Sequence, residues 1–167
     1  MSAKVLSDVV PQHDIRAPQE RASRRIVAPR SGLGVRFPPT LISTEDTDFI
    51  MRLTSVSPDG TSRAVVTGGL RARYREGGAE PVWQERERPY RFDFALSPTC
   101  QLFPAGHRIR IQVASAALPL FDRNPNSRVN RVSAHALDFQ LASQVVLHDA
   151  ARPSQIRLPL APSSWAE

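Results

Sequence analysis

Phe49-Ile50-Met51-Arg52-Leu53-Thr54-Ser55-Val56, followed by Ser57-Pro58-Asp59-Gly60, is the stretch on which the fold turns. Phe49, Met51 and Leu53 recur with a period of two, which places them on one face of a strand rather than along a helix. The tetrapeptide after them sets Pro where its ring-fixed φ suits a turn and Gly where a left-handed backbone is wanted, so the strand ends in a reversal.

Downstream, Ala64-Val65-Val66-Thr67 runs through Gly68-Gly69 into Leu70-Arg71-Ala72-Arg73-Tyr74-Arg75. Leu70, Ala72 and Tyr74 alternate with three arginines, which predicts a strand with one wet face and a bulge or bend at the double glycine. The row Arg71, Arg73, Arg75 reads most simply as the solvated side of that strand, with ion pairing at an interface as the sharper alternative. Glu76-Gly77-Gly78 opens a loop holding Trp83. The cleanest strand follows, Tyr90-Arg91-Phe92-Asp93-Phe94-Ala95-Leu96, with Tyr90, Phe92, Phe94 and Leu96 on one side.

Ser97-Pro98-Thr99 and Phe103-Pro104-Ala105-Gly106 frame a connection. Residues 107–115 then alternate Ile109, Ile111 and Val113 against polar partners, and residues 145–148 and 155–160 supply two more strands. Short strands at this spacing, with no useful helical pattern between them, predict an all-β sandwich or jelly roll.

The chain has 167 residues, enough for one domain with a single core. Its 15 prolines disfavour long helices, and its 41% apolar composition is ordinary for a globular protein. No apolar run long enough to cross a bilayer as a helix occurs, and the N-terminus lacks the pattern of a secretory signal, so the expected location is cytoplasmic. Cys100 is the single cysteine, which excludes an internal disulfide and a multi-cysteine zinc site.

A net charge of +6 raises the question of nucleic acid, because basic domains neutralise phosphates. The distribution argues against it. Residues 1–37 hold seven bases against three acids, and the rest of the chain is close to balanced. Residues 1–39 lack sustained apolar periodicity and are expected to form a disordered or atypical tail, followed by one domain at 40–161 and a short tail at 162–167.

Several segments together carry a resemblance: Asp46-Thr47-Asp48-Phe49, Ser57-Pro58-Asp59-Gly60, Gly69-Leu70-Arg71-Ala72-Arg73-Tyr74-Arg75, Pro104-Ala105-Gly106-His107-Arg108-Ile109-Arg110-Ile111, Pro119-Leu120-Phe121-Asp122-Arg123-Asn124-Pro125-Asn126, and His148-Asp149 with Pro153-Ser154-Gln155-Ile156-Arg157-Leu158-Pro159. In order and spacing the chain resembles the C-terminal domain of X-prolyl dipeptidyl aminopeptidases, cocaine esterase-like hydrolases, glutaryl-acylases and α-amino acid ester hydrolases. The resemblance implies a jelly roll of galactose-binding-like fold, packed on an α/β-hydrolase domain that performs acyl transfer with a Ser-His-Asp triad lying outside this region. It also implies that partner domain, in cis in the family and in trans if separate, and association of subunits into a homo-oligomer. Neither nucleic acid nor membrane is an expected partner. The sequence before Thr40 does not match the family's early strands, so either the chain is a piece of a longer gene or a different N-terminus replaces them.

The chemistry in the residues themselves is sparse. Serine hydrolysis of this type needs Gly-x-Ser-x-Gly, and that pentapeptide is absent, as are a phosphate loop, Gly-x-Gly-x-x-Gly and His-Glu-x-x-His. His13, His107, His135 and His148 stand apart from one another. No catalytic, cofactor-binding or metal residue is therefore assigned. Asp46 and Asp48 are too few oxygens for calcium and read as loop-ordering groups. Trp83 and Trp165 could stack on a sugar but lack the neighbours of a carbohydrate site.

Candidate interface residues are His107, Arg108, Arg110, Phe121, Asp122, Arg123 and Asn124, where Arg can pair with a partner's carboxylates and Asp or Asn can lock a loop. The bland reading of His107 is a ring hydrogen-bonded to a neighbouring loop. Three functions follow from these observations: a non-catalytic accessory module with an exposed apolar docking patch, an enzyme of serine hydrolase type, and an independent carbohydrate-binding module. Loss of the opening strands would also leave a sheet edge unpaired, with marginal stability as its consequence.

Overall fold

The computed structural model describes residues 3–6, 12–13, 24–28, 33–147, 149–153 and 155–159. Among these residues eleven strands succeed one another: β1 (Ala3–Leu6), β2 (Gln12–His13), β3 (Arg24–Ala28), β4 (Leu33–Ile42), β5 (Asp48–Val56), β6 (Ser62–Arg71), β7 (Tyr90–Leu96), β8 (Thr99–Phe103), β9 (Arg108–Ala114), β10 (Gln144–Leu147) and β11 (Gln155–Arg157). Two 3-10 turns, Ala72–Tyr74 and Ala136–Asp138, are the helical elements among the described residues. Every pairing between these strands is antiparallel, giving the all-β architecture that the alternation predicts.

In the first sheet β4 is central. One of its edges pairs with β7, and the other takes β10 along its C-terminal end and β11 along its N-terminal end, with β1 beyond β10. The second sheet has the order β2-β9-β5-β6, and β3 and β8 form a separate two-stranded ribbon. Phe49, Met51 and Leu53 of β5 and Ile111 and Val113 of β9 meet Ile42, Phe92, Leu96 and Phe103 in one core. The ring centroids of Phe49 and Phe92 lie 4.6 Å apart, tilted by 42°, and bring the two sheets into contact. Burying each such side chain stabilises the fold by roughly 1.5–3 kcal/mol.

Three local features differ from the sequence expectations. The strand through Gly68-Gly69 is continuous, and the register shift lies instead between Leu53 and Thr54, opposite Val66 and Ala64. The glycines serve close approach: a Cβ on Gly68 would lie 2.8 Å from Leu96 Cδ2, and one on Gly69 2.8 Å from Ile50 Cδ1 and 3.0 Å from Phe121 Cζ. Residues 99–103, read as part of a connection, form β8, whose partner β3 lies more than seventy residues upstream. The strand expected to reach Arg75 stops at Arg71, because Ala72 N–H donates to Thr47 O and Arg73 N–H donates to Asp46 Oδ1, which turns the chain into a 3-10 geometry.

Residues 1–39, expected as a tail, contain β1, β2, β3 and most of β4, each hydrogen-bonded to a strand of the later chain. Trp165, His148 and Leu160 lie outside the described residues. None of the described helical elements is long and apolar enough to cross a membrane.

Candidate functional site

The most concentrated polar chemistry gathers where the loop 115–143, between β9 and β10, meets the start of β5 and the end of β6. Asp46 is fully buried and Asp48 nearly so. Asn124 reaches both from the loop: its Nδ2 donates to Asp46 Oδ2 at 2.9 Å and to Asp48 Oδ1 at 2.7 Å. Arg71 grips Asp48 with two parallel bonds, Nε to Oδ1 at 2.8 Å and Nη2 to Oδ2 at 2.9 Å, and Nη2 also donates to the carbonyl of Asp122 at 3.3 Å. Arg73 Nε lies 2.9 Å from Asp46 Oδ2 with its N–H off that line, an ion pair rather than an aligned hydrogen bond. Two carboxylates thus face two guanidinium groups, the arrangement that makes buried charge tolerable.

Arg71, Arg73 and Arg75 are accordingly not the solvated face that alternation predicts. Arg71 and Arg73 turn to the aspartates, and Arg75 lies over the Tyr90 ring at 4.6 Å while Nη1 donates to Val82 O. The interruption of the strand by the 3-10 turn is what breaks the alternation.

Burial pushes the Asp46 carboxyl above its ordinary value, and the Asn124 hydrogen bond and the Arg73 charge only partly pull it back. The bonds to Asp48 hold Arg71 above the usual arginine value.

The loop has further internal order. Asn124 Oδ1 accepts from Asn126 N–H at 2.9 Å, Asn126 takes a left-handed φ of 57°, and its Nδ2 donates to Gln140 O at 2.8 Å. Gln140 N–H closes back on Pro125 O. At the loop's far end the buried Gln144 donates to Thr47 Oγ1 at 2.6 Å and to Ser115 Oγ at 3.0 Å, joining both ends of the loop to the segment before β5. Asp46 and Asp48 therefore order a loop, as the sequence implies, but the loop they order is a distant one.

Among the candidate interface residues, Phe121 packs on Gly69, Asp122 is exposed and paired with Arg131 at 3.1 Å, and Arg123 lies over the Phe139 ring at 4.4 Å. His107, Arg108 and Arg110 are half-buried on or beside β9, away from Asn124 in sequence. The His107 ring bonds a strand rather than a loop: Nδ1 lies 2.9 Å from Ser55 Oγ in β5. Ser55 is 6% exposed, one residue from the end of β5, and His107 has no carboxylate hydrogen-bond partner among the described residues. This pair lacks both the exposed nucleophile and the orienting acid that acyl transfer uses. His135 sits at the Ala136–Asp138 turn, its N–H donating to Asp138 Oδ2. No group of three metal-ligating side chains occurs among the described residues.

Trp83 is engaged by the protein itself, with the guanidinium groups of Arg73 and Arg128 over its ring at 4.8 and 5.6 Å. Next to it Gln84 is 2% exposed, and neither Nε2 nor Oε1 finds a hydrogen-bond partner among the described residues. Beside the Asp48–Arg71 pair lies an open cleft of about 330 Å³, bordered by Ile50, Gly69, Tyr74, Leu120, Phe121 and Arg131. Sequence reasoning named Phe121 and Asn124 but missed this cleft, since its walls come from three separated segments.

The Rhodococcus cocaine esterase is 34% identical over 118 residues, which cover 71% of this chain and 21% of that protein. A solved α-amino acid ester hydrolase superposes with a TM-score of 0.77 at 29% identity, covering 90% of this chain and 25% of that one. An aminopeptidase from a marine sediment Thaumarchaeota archaeon gives 0.75 at 26% identity, covering 92% and 25%. The chain thus spans about a fifth to a quarter of the length of these relatives. Residues 40–157 match the family described as the X-Pro dipeptidyl-peptidase C-terminal non-catalytic domain, and the chain belongs to that family.

Proposed function

We propose that this chain is a non-catalytic accessory module of a serine hydrolase of ester-, amide- or X-Pro-cleaving type, with a jelly-roll body of galactose-binding-like topology at residues 40–161. In this reading it buttresses an α/β-hydrolase domain, joined in cis or met in trans, and His107, Arg108, Arg110, Phe121, Asp122, Arg123 and Asn124 belong to or support the contact. One observation carries the proposal: the buried polar groups of Asp46, Asp48, Arg71 and Asn124 are spent on one another and on holding a loop. That is the chemistry of a scaffold. The names of the relatives, an esterase, an ester hydrolase and an aminopeptidase, supply the class of hydrolase it would serve.

The carbohydrate-binding alternative is weakened by Trp83, whose ring is taken by Arg73 and Arg128. Incubating the purified chain with a p-nitrophenyl ester and with an X-Pro-anilide tests the proposal. No turnover is expected from the chain alone, and turnover abolished by a serine-directed reagent would overthrow it.

A further inference from the structure

Eight large apolar side chains are exposed among the described residues, and five of them, Leu118, Leu120, Val132, Leu137 and Leu141, belong to the loop 115–143. Their exposure runs from 64% to 99%. A strandless segment of this length in a compact domain is normally either disordered or functional. This one is ordered by specific bonds: Asn124 ties it to Asp46 and Asp48, Asn126 ties its two limbs together, and Gln144 fixes its exit. Holding a loop in one shape while its aliphatic groups face water costs conformational and hydration free energy that the domain alone does not recover. A partner surface recovers it, and a loop ordered in advance binds with less entropy left to lose. The cleft at the loop's base, with Leu120 and Phe121 on one wall and the Asp122–Arg131 pair beside them, offers a recess for an apolar side chain of such a partner.

We infer that the loop 115–143, with this cleft, is the surface on which the remaining part of a longer hydrolase chain seats, and that Asn124 is the positioning residue that presents it. The inference rests on the accessory role proposed above and goes beyond it by naming the contact element and its apolar anchors, Leu118, Leu120, Val132, Leu137 and Leu141. The occupant follows from chain length: the relatives carry a region like this one as 21–25% of their length, so about three quarters of each is available to cover it.

A chimera tests the inference. The 118-residue matching region of the Rhodococcus cocaine esterase is replaced by residues 40–157 of this chain, and ester hydrolysis and Tm are measured. The chimera is expected to hydrolyse its ester. Leu120→Glu with Leu141→Glu is expected to lower that activity ten-fold or more, or to lower the chimera's Tm, while the Tm of the isolated chain carrying the same pair stays unchanged. Arg63→Glu, on the exposed start of β6 away from the loop, is expected to change neither. An inactive chimera, or a Leu120→Glu, Leu141→Glu chimera indistinguishable from its parent, would overturn the inference. Failure of the accessory role is read separately, as ester turnover by the isolated chain.

Discussion

Asn124 Nδ2 lies 2.7 Å from Asp48 Oδ1 and, through its second hydrogen, 2.9 Å from Asp46 Oδ2, so one amide bridges two buried carboxylates across 76 and 78 residues of chain. Hydrogen bonds to charged groups contribute about 1.5–3 kcal/mol each, and a buried acceptor left without its donor costs its desolvation. Asn124→Ala is therefore expected to lower stability by about 2–4 kcal/mol, read as a shift in the urea midpoint with little change in slope. An unchanged midpoint would mean that the loop is held by something else.

The same bridge has a pH signature. Asp46 titrates above its ordinary value of 3.8 in the folded protein, so folding takes up a proton there. Its contribution to stability is fullest below 3.8 and is lost as pH rises through the folded value. Asp59 and Asp149 run the other way: backbone and side-chain bonds from Thr61 lower the first, and Arg152 lowers the second. Their contributions are present above 3.8 and fade as pH falls through their depressed folded values. Asn124→Ala removes a group that pulls the Asp46 value down, so that value rises further. The deficit of Asn124→Ala, measured by urea unfolding at several pH values, should shrink as the solution is acidified from neutrality toward 3.8, and a deficit independent of pH would contradict the assignment.

Gly69 and Phe121 form a second tie between loop and sheet. A Cβ on Gly69 would lie 2.8 Å from Ile50 Cδ1 and 3.0 Å from Phe121 Cζ, the second tighter than nine in ten such contacts. Gly69→Ala should cost about 1–3 kcal/mol by overpacking. Combined with Phe121→Ala it should cost less than the two separate losses added together, because the second change removes the ring's share of the crowding and leaves that of Ile50. Additive losses in thermal unfolding would show that the ring does not rest on the glycine.

Gln84 is 2% exposed with its amide atoms unpartnered among the described residues. Replacing a buried polar group that makes no bonds by an apolar one of similar length removes a desolvation cost of about 1–3 kcal/mol. Gln84→Met should raise stability by about 1 kcal/mol in the same assay, whereas a loss of that size would point to a partner held by the amide.

Phe92→Ala probes the seam between the sheets. With its ring against Phe49 at the centre of the core, it should cost about 3–5 kcal/mol. A loss under 1 kcal/mol would contradict a single shared core.

The strands that alternation marks, β5, β7 and β9, lie where the sequence places them, because each puts a row of large apolar groups on one face. What escaped was decided by distant partners. Val35 in β4 pairs with Phe94 on one side and Ile156 on the other, and Gln101 in β8 pairs with Ile26, relations that no local pattern announces. Arg73 left its expected strand face because the Asp46 side chain, 27 residues earlier, captures its N–H. Asn124 was legible as a loop-locking residue but not as the bridge between two aspartates, and the Ser55–His107 bond was invisible for the same reason.

The proposal that the chain itself is non-catalytic is tested most directly by intact-mass measurement after exposing the purified protein to excess fluorophosphonate. The account expects no stoichiometric serine adduct and no ester turnover before or after treatment. A one-to-one covalent adduct on a serine, formed together with loss of a measurable esterase activity, would contradict it.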